Sequence, residues 1–164
     1  LVAHAAVEKI TRVRLTRLGF IAQHVELAPL LAIEENLALE GENAGMRRVD
    51  AQARASELIV RLGLADQLGK CPEQLSAGQR RRVAVARALL HRPPVLLADD
   101  PTSGLNWRQA LTVVDLLVAQ ARIAGVALLM ATHDMRLVPR FDRVFLINSG
   151  RLQERSPQEE VAHA

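Results

Sequence analysis

Gln74–Asn106 reads QLSAGQRRRVAVARALLHRPPVLLADDPTSGLN, and this stretch decides the fold. Ser76 stands immediately before a helical pattern and is a favoured N-cap residue. The apolar positions that follow recur at spacings of three and four residues, which predicts a buried helix face made of Val83, Ala86, Leu89 and Leu90. The stretch therefore predicts a helix whose start presents backbone N–H groups to an anion.

A strand is predicted directly after this helix. Pro93 and Pro94 end the helix, and Val95–Ala98 is a continuous apolar run of the length expected for a strand buried on both faces. Two carboxylates, Asp99 and Asp100, follow the run. Carboxylates at the C-terminal end of such a strand face the ligand crevice of an open α/β sheet.

The order of these segments resembles the nucleotide-binding subunits of ATP-binding cassette (ABC) transporters. Leu75–Gln79 resembles the signature motif of that family, Val95–Asp99 resembles its Walker B strand, and Ser103–Asn106 resembles its D-loop. A Ser-x-Gly-Gln motif alone is weak evidence, whereas the helix, the strand and the carboxylate pair in this order are specific. Within the family, the chain looks most like the branch that serves lipoprotein release and macrolide export.

Composition is ordinary for one globular domain. The chain has 164 residues, of which 49% are hydrophobic and 24% charged, with a net charge of +3. Aromatic residues make up only 2%, and no long basic run occurs, which argues against nucleic acid as a partner. No apolar run is long enough to span a membrane and no secretory signal is recognisable, so a cytosolic compartment is expected.

Leu18–Gln23 is a short apolar run that predicts a buried strand ending in an amide side chain. The preceding segment Glu8–Arg17 is charged and is predicted to be helical or irregular. A glutamine after a strand is usually only a polar loop residue. The resemblance identifies Gln23 with the Q-loop glutamine, which in the family reaches the bound magnesium and the attacking water.

The segment from His24 to Glu73 has a helical pattern. Ile33–Leu39 is predicted as one short helix, and a longer helix is predicted to end at Gly63. The apolar face of the longer helix is predicted to consist of Val49, Ala53, Leu58, Ile59 and Leu62. This block resembles the helical subdomain of the family.

Asn106 is predicted to cap a further helix that ends at Gly125 and whose apolar positions are Leu111, Val114, Val118 and Ala121. Val126–Ala131 is then predicted as another buried strand. It would deliver Thr132, His133 and Asp134 to the same sheet edge as Asp99. A histidine at a strand end is more often structural than catalytic, but its position after the Walker B segment matches the switch histidine of the family.

The C-terminal pattern from Val144 to Leu152 predicts a β-hairpin with its turn at Asn148–Gly150. The residues after Pro157 carry no recognisable pattern. Arg80, Arg81 and Arg82 are adjacent on the signature helix, so we expect them to fan out on a solvated face, with phosphate or anionic headgroups as the alternative.

A P-loop, which would need Gly-x-x-x-x-Gly-Lys followed by Ser or Thr, is not found in this sequence. The two lysines, Lys9 and Lys70, both lie outside such a context. We therefore expect the chain to correspond to about the last two thirds of the family's domain, with the N-terminal strands missing. Asp100 stands where the family has a glutamate, and Asn106 where it has an aspartate, so turnover is expected to be affected more than nucleotide contact.

The resemblance implies an α/β fold of the P-loop NTPase type, with a parallel sheet flanked by helices and a helical subdomain. It implies three segments: a core segment 1–23 with the Q-loop, a helical subdomain 24–92 with the signature, and a core segment 93–164. It also implies ATP and Mg²⁺ as ligands, a second ABC ATPase subunit as a head-to-tail dimer partner, transmembrane permease subunits, and a place on the inner face of the cell membrane.

The residue roles that the resemblance implies fall into two groups. In the first group, Asp99 would hold Mg²⁺ together with Gln23, Asp100 would orient the attacking water, and Gln23 and His133 would sense the γ-phosphate. The second group would contact the nucleotide and consists of Ser76, Ala77, Gly78, Gln79, Asp99 and Asn106. Ser76 and Gly78 would meet the γ-phosphate of ATP bound by the opposite subunit.

The implied activity is hydrolysis of ATP to ADP and phosphate, coupled to transport across the membrane. Two alternatives stay open from the sequence. One is a soluble ABC ATPase of DNA repair or translation, although such proteins usually carry long coiled-coil insertions or two cassettes in one chain. The other is a non-catalytic or degenerate ABC fragment that acts only as a partner in trans, which the absence of a P-loop favours.

Overall fold

The computed structural model of the chain describes residues 2–156, so the segment after Pro157 lies outside the described residues. The helices are α1 Val2–Arg17, α2 Ile33–Asn43, α3 Arg48–Arg61, α4 Ala77–Leu89 and α5 Trp107–Ala124. The strands are β1 Leu18–Ile21, β2 Val95–Asp99, β3 Ala127–Ala131, β4 Val144–Asn148 and β5 Arg151–Arg155. Short 3₁₀ turns occupy Ala65–Gln67, Pro72–Gln74 and Met135–Arg140.

Strands β1, β2 and β3 form a parallel sheet with β2 in the centre. Ile21 pairs with Ala98, and Asp99 pairs with Ala131, so the carboxyl ends of the three strands lie side by side. Helical segments connect the strands, as parallel pairing requires. The predicted α/β class with a parallel sheet and flanking helices is confirmed.

Helix α4 lies unusually close to β1 because β1 contains Gly19. A Cβ atom built on Gly19 would lie 2.2 Å from the carbonyl oxygen of Ala88 and 2.5 Å from Cδ2 of Leu96. The absence of a side chain at this position therefore lets the helix backbone rest against the strand. This close approach joins the first strand to the helix that carries the predicted signature.

One face of the parallel sheet is buried and the other is largely open. On the buried face, Ile21, Leu96 and Ala98 pack in the same core as α4 and α5. On the other face, Phe20 is 49% exposed and Leu129 is 62% exposed. The prediction that β2 is buried on both faces is therefore wrong, because its residues are fully buried on one face only. The predictions that Leu18–Gln23 and Val126–Ala131 are buried strands are wrong for the same reason, since β1 and β3 are the edge strands of the sheet and each exposes residues on the open face.

Helices α2 and α3 pack against each other and against α4. Helix α2 extends four residues beyond the predicted Leu39, to Asn43. Leu58 and Ile59 of α3 and its C-cap residue Leu62 are buried as predicted. The N-terminal half of the predicted face is wrong, because Val49 and Ala53 are exposed and the helix instead buries the small side chains of Ala51 and Ala55.

The predicted start and end of α5 are confirmed. Asn106 Oδ1 accepts a hydrogen bond from the Gln109 backbone N–H at 3.0 Å, and Gly125 ends the helix in the left-handed conformation with φ of 65°. The centre of its buried face differs from the prediction: Val113 and Leu117 are fully covered, whereas Leu111 and Val118 lie at its margin. The β4–β5 hairpin is also confirmed.

Within residues 2–156, none of the helices combines the length and the apolar character needed to cross a bilayer.

His91 lies between α4 and β2 and is a titratable group without an evident function. Both of its ring nitrogens are shielded from solvent and lack hydrogen-bond partners among residues 2–156. Burial lowers the pKa of His91 below its ordinary value, although the nearby Glu40 charge partly opposes this effect. The folded protein therefore favours the neutral imidazole at this position.

We expect His91 to make the fold sensitive to mild acid. Its pKa is lower in the folded chain than the ordinary 6.5, so the unfolded chain binds more protons as the pH falls below that value, and the free energy of unfolding decreases. Urea unfolding at pH 7.5 and pH 5.5 measures this loss, which His91→Leu should reduce. His24→Leu, at an exposed position, is the control. An equal pH dependence in His91→Leu and the unmodified chain would contradict the assignment.

Candidate functional site

The carboxyl edge of the parallel sheet brings together polar residues from three separate segments. Gln23 follows β1, Asp99 ends β2 with Asp100 next to it, and His133 follows β3. The Asp100 backbone N–H donates to the Ala131 carbonyl at 2.9 Å, which ties the end of β2 to the end of β3. The placement of these four predicted residues at one edge follows from the parallel register.

Asp100 and His133 are in direct contact. Nδ1 of His133 lies 3.1 Å from Oδ2 of Asp100, and the histidine side chain is 82% exposed whereas the aspartate side chain is 13% exposed. The second carboxylate oxygen, Oδ1 of Asp100, is buried and has no hydrogen-bond partner among residues 2–156. A buried carboxylate oxygen without a partner is costly, so this atom is suited to accept a hydrogen bond from a water molecule or to face a cation.

The residues at this edge fit a magnesium ion. Mg²⁺ in phosphate-processing sites is usually held by one or two carboxylates together with substrate phosphates, and Asp99 is exposed at the strand end beside the buried Asp100 oxygen. Gln23 adds an exposed amide oxygen. No group of three or more His, Cys, Asp or Glu side chains with metal-binding geometry occurs between residues 2 and 156.

Gln23 is connected to the loop that follows β2. Its Nε2 donates to the hydroxyl of Ser103 at 3.3 Å, and the Ser103 backbone N–H donates to the Asp100 carbonyl at 3.1 Å. Ser103 lies in the predicted D-loop but is not one of the predicted site residues. The structure therefore adds it as a link between the amide of Gln23 and the segment of Asp100.

Arg136, in the segment after His133, makes an ion pair with Asp134 and a cation–π contact with Trp107. Arg136 makes two hydrogen bonds to the Asp134 carboxylate, at 2.8 and 2.7 Å, and its guanidinium lies 4.4 Å from the centre of the Trp107 ring. The hydrogen bond from Arg136 is the main reason that the pKa of Asp134 lies below its ordinary value. These contacts join the segment of His133 to the start of α5.

The start of α4 is a reciprocal cap. The Gln79 backbone N–H donates to the Ser76 hydroxyl oxygen at 3.2 Å, and the Ser76 backbone N–H donates to Gln79 Oε1 at 2.8 Å. The cap leaves the Ser76 O–H hydrogen available for another acceptor. The predicted cap is thus confirmed, and Ala77 is the first residue of the helix.

Gly78 lies in open space at this helix start. Apart from its two chain neighbours and the adjacent backbone of its own helix, no described residue has a heavy atom within 4 Å of a Cβ built on Gly78, and the φ of Gly78 is not in the left-handed region. Neither packing nor backbone conformation within this chain therefore requires glycine here. Across residues 2–156, no hydrogen bond joins Ser76–Gln79 to Gln23, Asp99, Asp100 or His133, so the start of α4 and the sheet edge are not directly bonded to each other.

The three adjacent arginines of α4 contradict the prediction of a solvated face. Arg80 donates to the carbonyls of Leu75 and Pro72, and Arg82 donates to those of Leu62 and Gly63. Arg81 is 5% exposed and is therefore part of the interior. Helical periodicity carried this signal, since the residues three, four and seven positions after Arg81 are the buried Ala84, Val85 and Ala88.

Comparison with known proteins agrees with the fold and with the motifs. A family model described as ABC transporter matches residues 3–103. The lipoprotein-releasing system ATP-binding protein LolD 2 of Caulobacter vibrioides is 43% identical over 143 residues, which cover 87% of this chain and 63% of the relative. A protein of Staphylococcus epidermidis named as a hemin import ATP-binding protein, HrtA, is 40% identical over 140 residues, which cover 85% of this chain and 63% of the relative.

Among solved structures, the chain is similar to the dimeric ATP-binding cassette MJ0796 in a post-hydrolysis state bound to ADP and Pi. The TM-score is 0.78 at 30% sequence identity, and the match covers 92% of this chain and 67% of the other. The chain spans 63% of the length of both curated relatives. The matches agree with the capped helix that resembles the signature, with the strand that ends in paired carboxylates, and with the parallel sheet. They show that the chain belongs to the ABC transporter family and corresponds to its nucleotide-binding domain.

Proposed function

We propose that this protein is the ATP-binding and ATP-hydrolysing subunit of an ABC transporter and couples the hydrolysis of ATP to ADP and phosphate to transport across a membrane. One observation carries the proposal: the buried, unpartnered oxygen of Asp100 at the sheet edge, in a carboxylate whose other oxygen contacts His133. The names of the relatives, which are ATP-binding proteins of transport systems, support the same activity.

The arrangement supports distinct roles for the residues at the edge. Asp100 Oδ1 would accept a hydrogen bond from the attacking water, while His133 holds Oδ2 and so orients the carboxylate. Gln23, anchored through Ser103, would contact the same water and the γ-phosphate. Asp99 and Gln23 would hold Mg²⁺, which when bound neutralises the charge that develops on the phosphate oxygens.

We further propose that the start of α4 serves the nucleotide of a second ABC ATPase subunit. The free Ser76 hydroxyl hydrogen and the open space at Gly78 fit a phosphate that approaches from outside this chain. Ala77 and Gln79 complete this turn, and Asn106 would contact the nucleotide from the D-loop. The dimeric state of the similar cassette supports pairing with a second subunit, which we propose to be head to tail.

The proposal extends to the partners and location of the protein. Family membership supports permease subunits as partners and a position against the cytoplasmic face of the membrane. We also propose that the chain consists of a core segment 1–23, a helical subdomain 24–92 and a core segment 93–164. The packing of α2 and α3 against α4 supports the helical unit.

Substitution of Asp100 tests the hydrolytic role. In the assembled transporter, Asp100→Asn should lower phosphate release from ATP by roughly 100-fold or more, because general-base catalysis contributes about 10²–10⁴-fold. Asp100→Glu should raise the rate, because the added methylene group extends the carboxylate toward the water. Full turnover by Asp100→Asn would show that Asp100 is not the base.

A second candidate function is that of a non-catalytic partner that completes the site of another subunit. One feature supports it: the start of α4, with its reciprocal Ser76–Gln79 cap, is formed by residues of this chain alone. In that case ATP should bind only weakly to the chain alone. Calorimetric titration with ATP and Mg²⁺ measures this, and a tight stoichiometric complex would exclude the second candidate.

Gly78→Ala separates the proposed interface role from folding. Because the added methyl group meets nothing in this chain, the substitution should leave urea unfolding unchanged or raise the stability by up to about 1 kcal/mol, the helix-propensity difference between the two residues. It should nevertheless weaken ATP-dependent association with a second subunit, measured by size-exclusion chromatography. Undiminished association would show that nothing approaches Gly78 closely.

A further inference from the structure

Arg81 makes contacts that none of the predicted site residues makes. From its place near the start of α4, its Nη1 donates to the carbonyl of Ala22 at 2.9 Å. Its Nη2 donates to the carbonyl of Gln23 at 2.9 Å and to that of Ser103 at 3.4 Å. One guanidinium thus joins the signature helix to the loop after β1 and to the loop after β2.

The charge of Arg81 is buried without a carboxylate in contact. Arg81 makes no ion pair within the described part of the chain, and burial lowers its pKa although the Asp100 carboxylate nearby partly opposes this. A buried cation is costly unless hydrogen bonds satisfy it. The three carbonyl groups supply these bonds, so their positions and that of the guanidinium are mutually dependent.

We propose that Arg81 is a positioning residue that clamps the loops of Gln23 and Ser103 to the start of α4, so that the predicted signature and the predicted catalytic edge keep one fixed relative position. The proposal rests on the proposed function, because it assigns to Arg81 the task of aligning the two proposed nucleotide-facing surfaces. Arg81 itself touches neither Asp100 nor His133 through a hydrogen bond in residues 2–156.

The fork of the guanidinium is what makes the clamp possible. Two nitrogens in a rigid plane reach separate acceptors, whereas a lysine offers a single ammonium group on a flexible stem. Arg81→Lys keeps the charge and should restore only part of the clamp. Arg81→Met keeps much of the apolar stem and removes all three hydrogen bonds.

The neighbouring Arg82 offers a matched control. It also donates to two backbone carbonyls, those of Leu62 and Gly63 at 3.2 and 3.3 Å, but these lie at the end of α3, away from the sheet edge. Arg82→Met therefore removes similar bonds from the same helix without releasing Gln23 or Ser103. Arg81→Met removes three bonds and Arg82→Met removes two, so the location of the bonds is read from where in the chain each variant has its effect.

The first arm of the test needs no nucleotide. Hydrogen–deuterium exchange followed by mass spectrometry should show faster exchange in the peptides around Gln23 and Ser103 for Arg81→Met, relative to a peptide covering β2. Arg82→Met should accelerate exchange only around Leu62 and Gly63. Unchanged exchange around both Gln23 and Ser103 in Arg81→Met would overturn the proposal.

The second arm measures assembly with a full-length ABC ATPase subunit whose general base carries a Glu-to-Gln block. Arg81→Met should raise the ATP concentration needed for half-maximal association by about tenfold or more, because displaced contact groups cost up to about 100-fold. Arg82→Met should leave it within twofold of the unmodified protein. If Arg81→Met and Arg82→Met raised this ATP concentration equally, Arg81 would have only a structural role and the positioning role would be wrong.

The two arms also separate this proposal from the proposed function. If the unmodified protein fails to associate at any ATP concentration, the proposed function in trans is wrong. The exchange data then still decide whether Arg81 clamps the two loops. Partial recovery of both readouts by Arg81→Lys is the further result expected if the forked donor, and not the charge alone, holds the loops.

Discussion

Ser76→Arg should abolish the ATP-dependent association of this protein with a second ABC ATPase subunit. The proposed contact of Ser76 is the γ-phosphate of the partner's ATP, reached through its free hydroxyl hydrogen and the adjacent backbone N–H groups. An arginine side chain at the start of α4 would occupy the space above Gly78 that is open in this chain. Size-exclusion chromatography with ATP and a partner subunit that cannot hydrolyse it measures the loss directly.

Ser76→Asp distinguishes the phosphate contact from the helix cap. Aspartate caps helices about as well as serine, so the hydrogen bond from the Gln79 backbone N–H is retained and the fold should stay intact. Its negative charge would repel the phosphate, so association should again be lost. Ser56→Asp, which adds the same charge at an exposed position of α3 outside the proposed site, is the control and should associate normally. Normal assembly of both Ser76 variants would leave Ser76 as a helix cap only.

Gly19→Ala should cause the largest loss of stability among the substitutions considered. The new Cβ would lie 2.2 Å from the Ala88 carbonyl oxygen, and because that atom belongs to the backbone of α4 it cannot rotate away. Inserting one carbon into a packed core costs typically about 1–3 kcal/mol and occasionally more. We expect a loss at the upper end or beyond, since both the helix and the strand must move apart.

Urea unfolding followed by circular dichroism measures this loss as a lower midpoint. Gly78→Ala is the matched control, since it makes the same chemical change at a position in α4 that lies in open space, and its midpoint should not fall. A separation of α4 from β1 would also displace Arg81 relative to the Ala22 and Gln23 carbonyls. Gly19→Ala with the midpoint of the unmodified chain would show that β1 and α4 can separate at little cost.

The local signals of the sequence account for much of the fold. Ser76 and Asn106 start helices, and Gly125 ends one, because each of these roles depends on the residue itself and on backbone groups within a few positions. The hairpin is similar: its turn residues Ser149 and Gly150 both adopt positive φ, as a two-residue turn requires. The order of the motifs also predicted that Gln23, Asp99, Asp100 and His133 lie at one edge of the sheet. Each follows or ends a strand, and the carboxyl ends of parallel strands lie side by side.

Other features depend on groups far apart in the chain, and there the tertiary structure decided. Arg81 reaches carbonyls 58 and 59 positions before it, and the Gln23 amide reaches a hydroxyl 80 positions after it. An arginine is usually exposed, so its residue type predicted an exposed side chain for Arg81. In the structure Arg81 is buried, as are its neighbours on the same face of α4. The open face of the sheet could not be predicted from the apolar strands either. An apolar run indicates that its side chains favour burial, but it does not show whether a helix covers them.

The sequence by itself determined the family, the helix and strand boundaries near caps and turns, and the set of polar residues at the sheet edge. These features depend on interactions between residues close in sequence and on the direction of the strands. Only the tertiary structure decided that one oxygen of Asp100 is buried without a partner while the other meets His133. It also decided that Ser103 and Arg81 hold Gln23. The contact of Arg81 with the Gln23 carbonyl links α4 to the end of β1, and the close packing of α4 on Gly19 brings these two elements together.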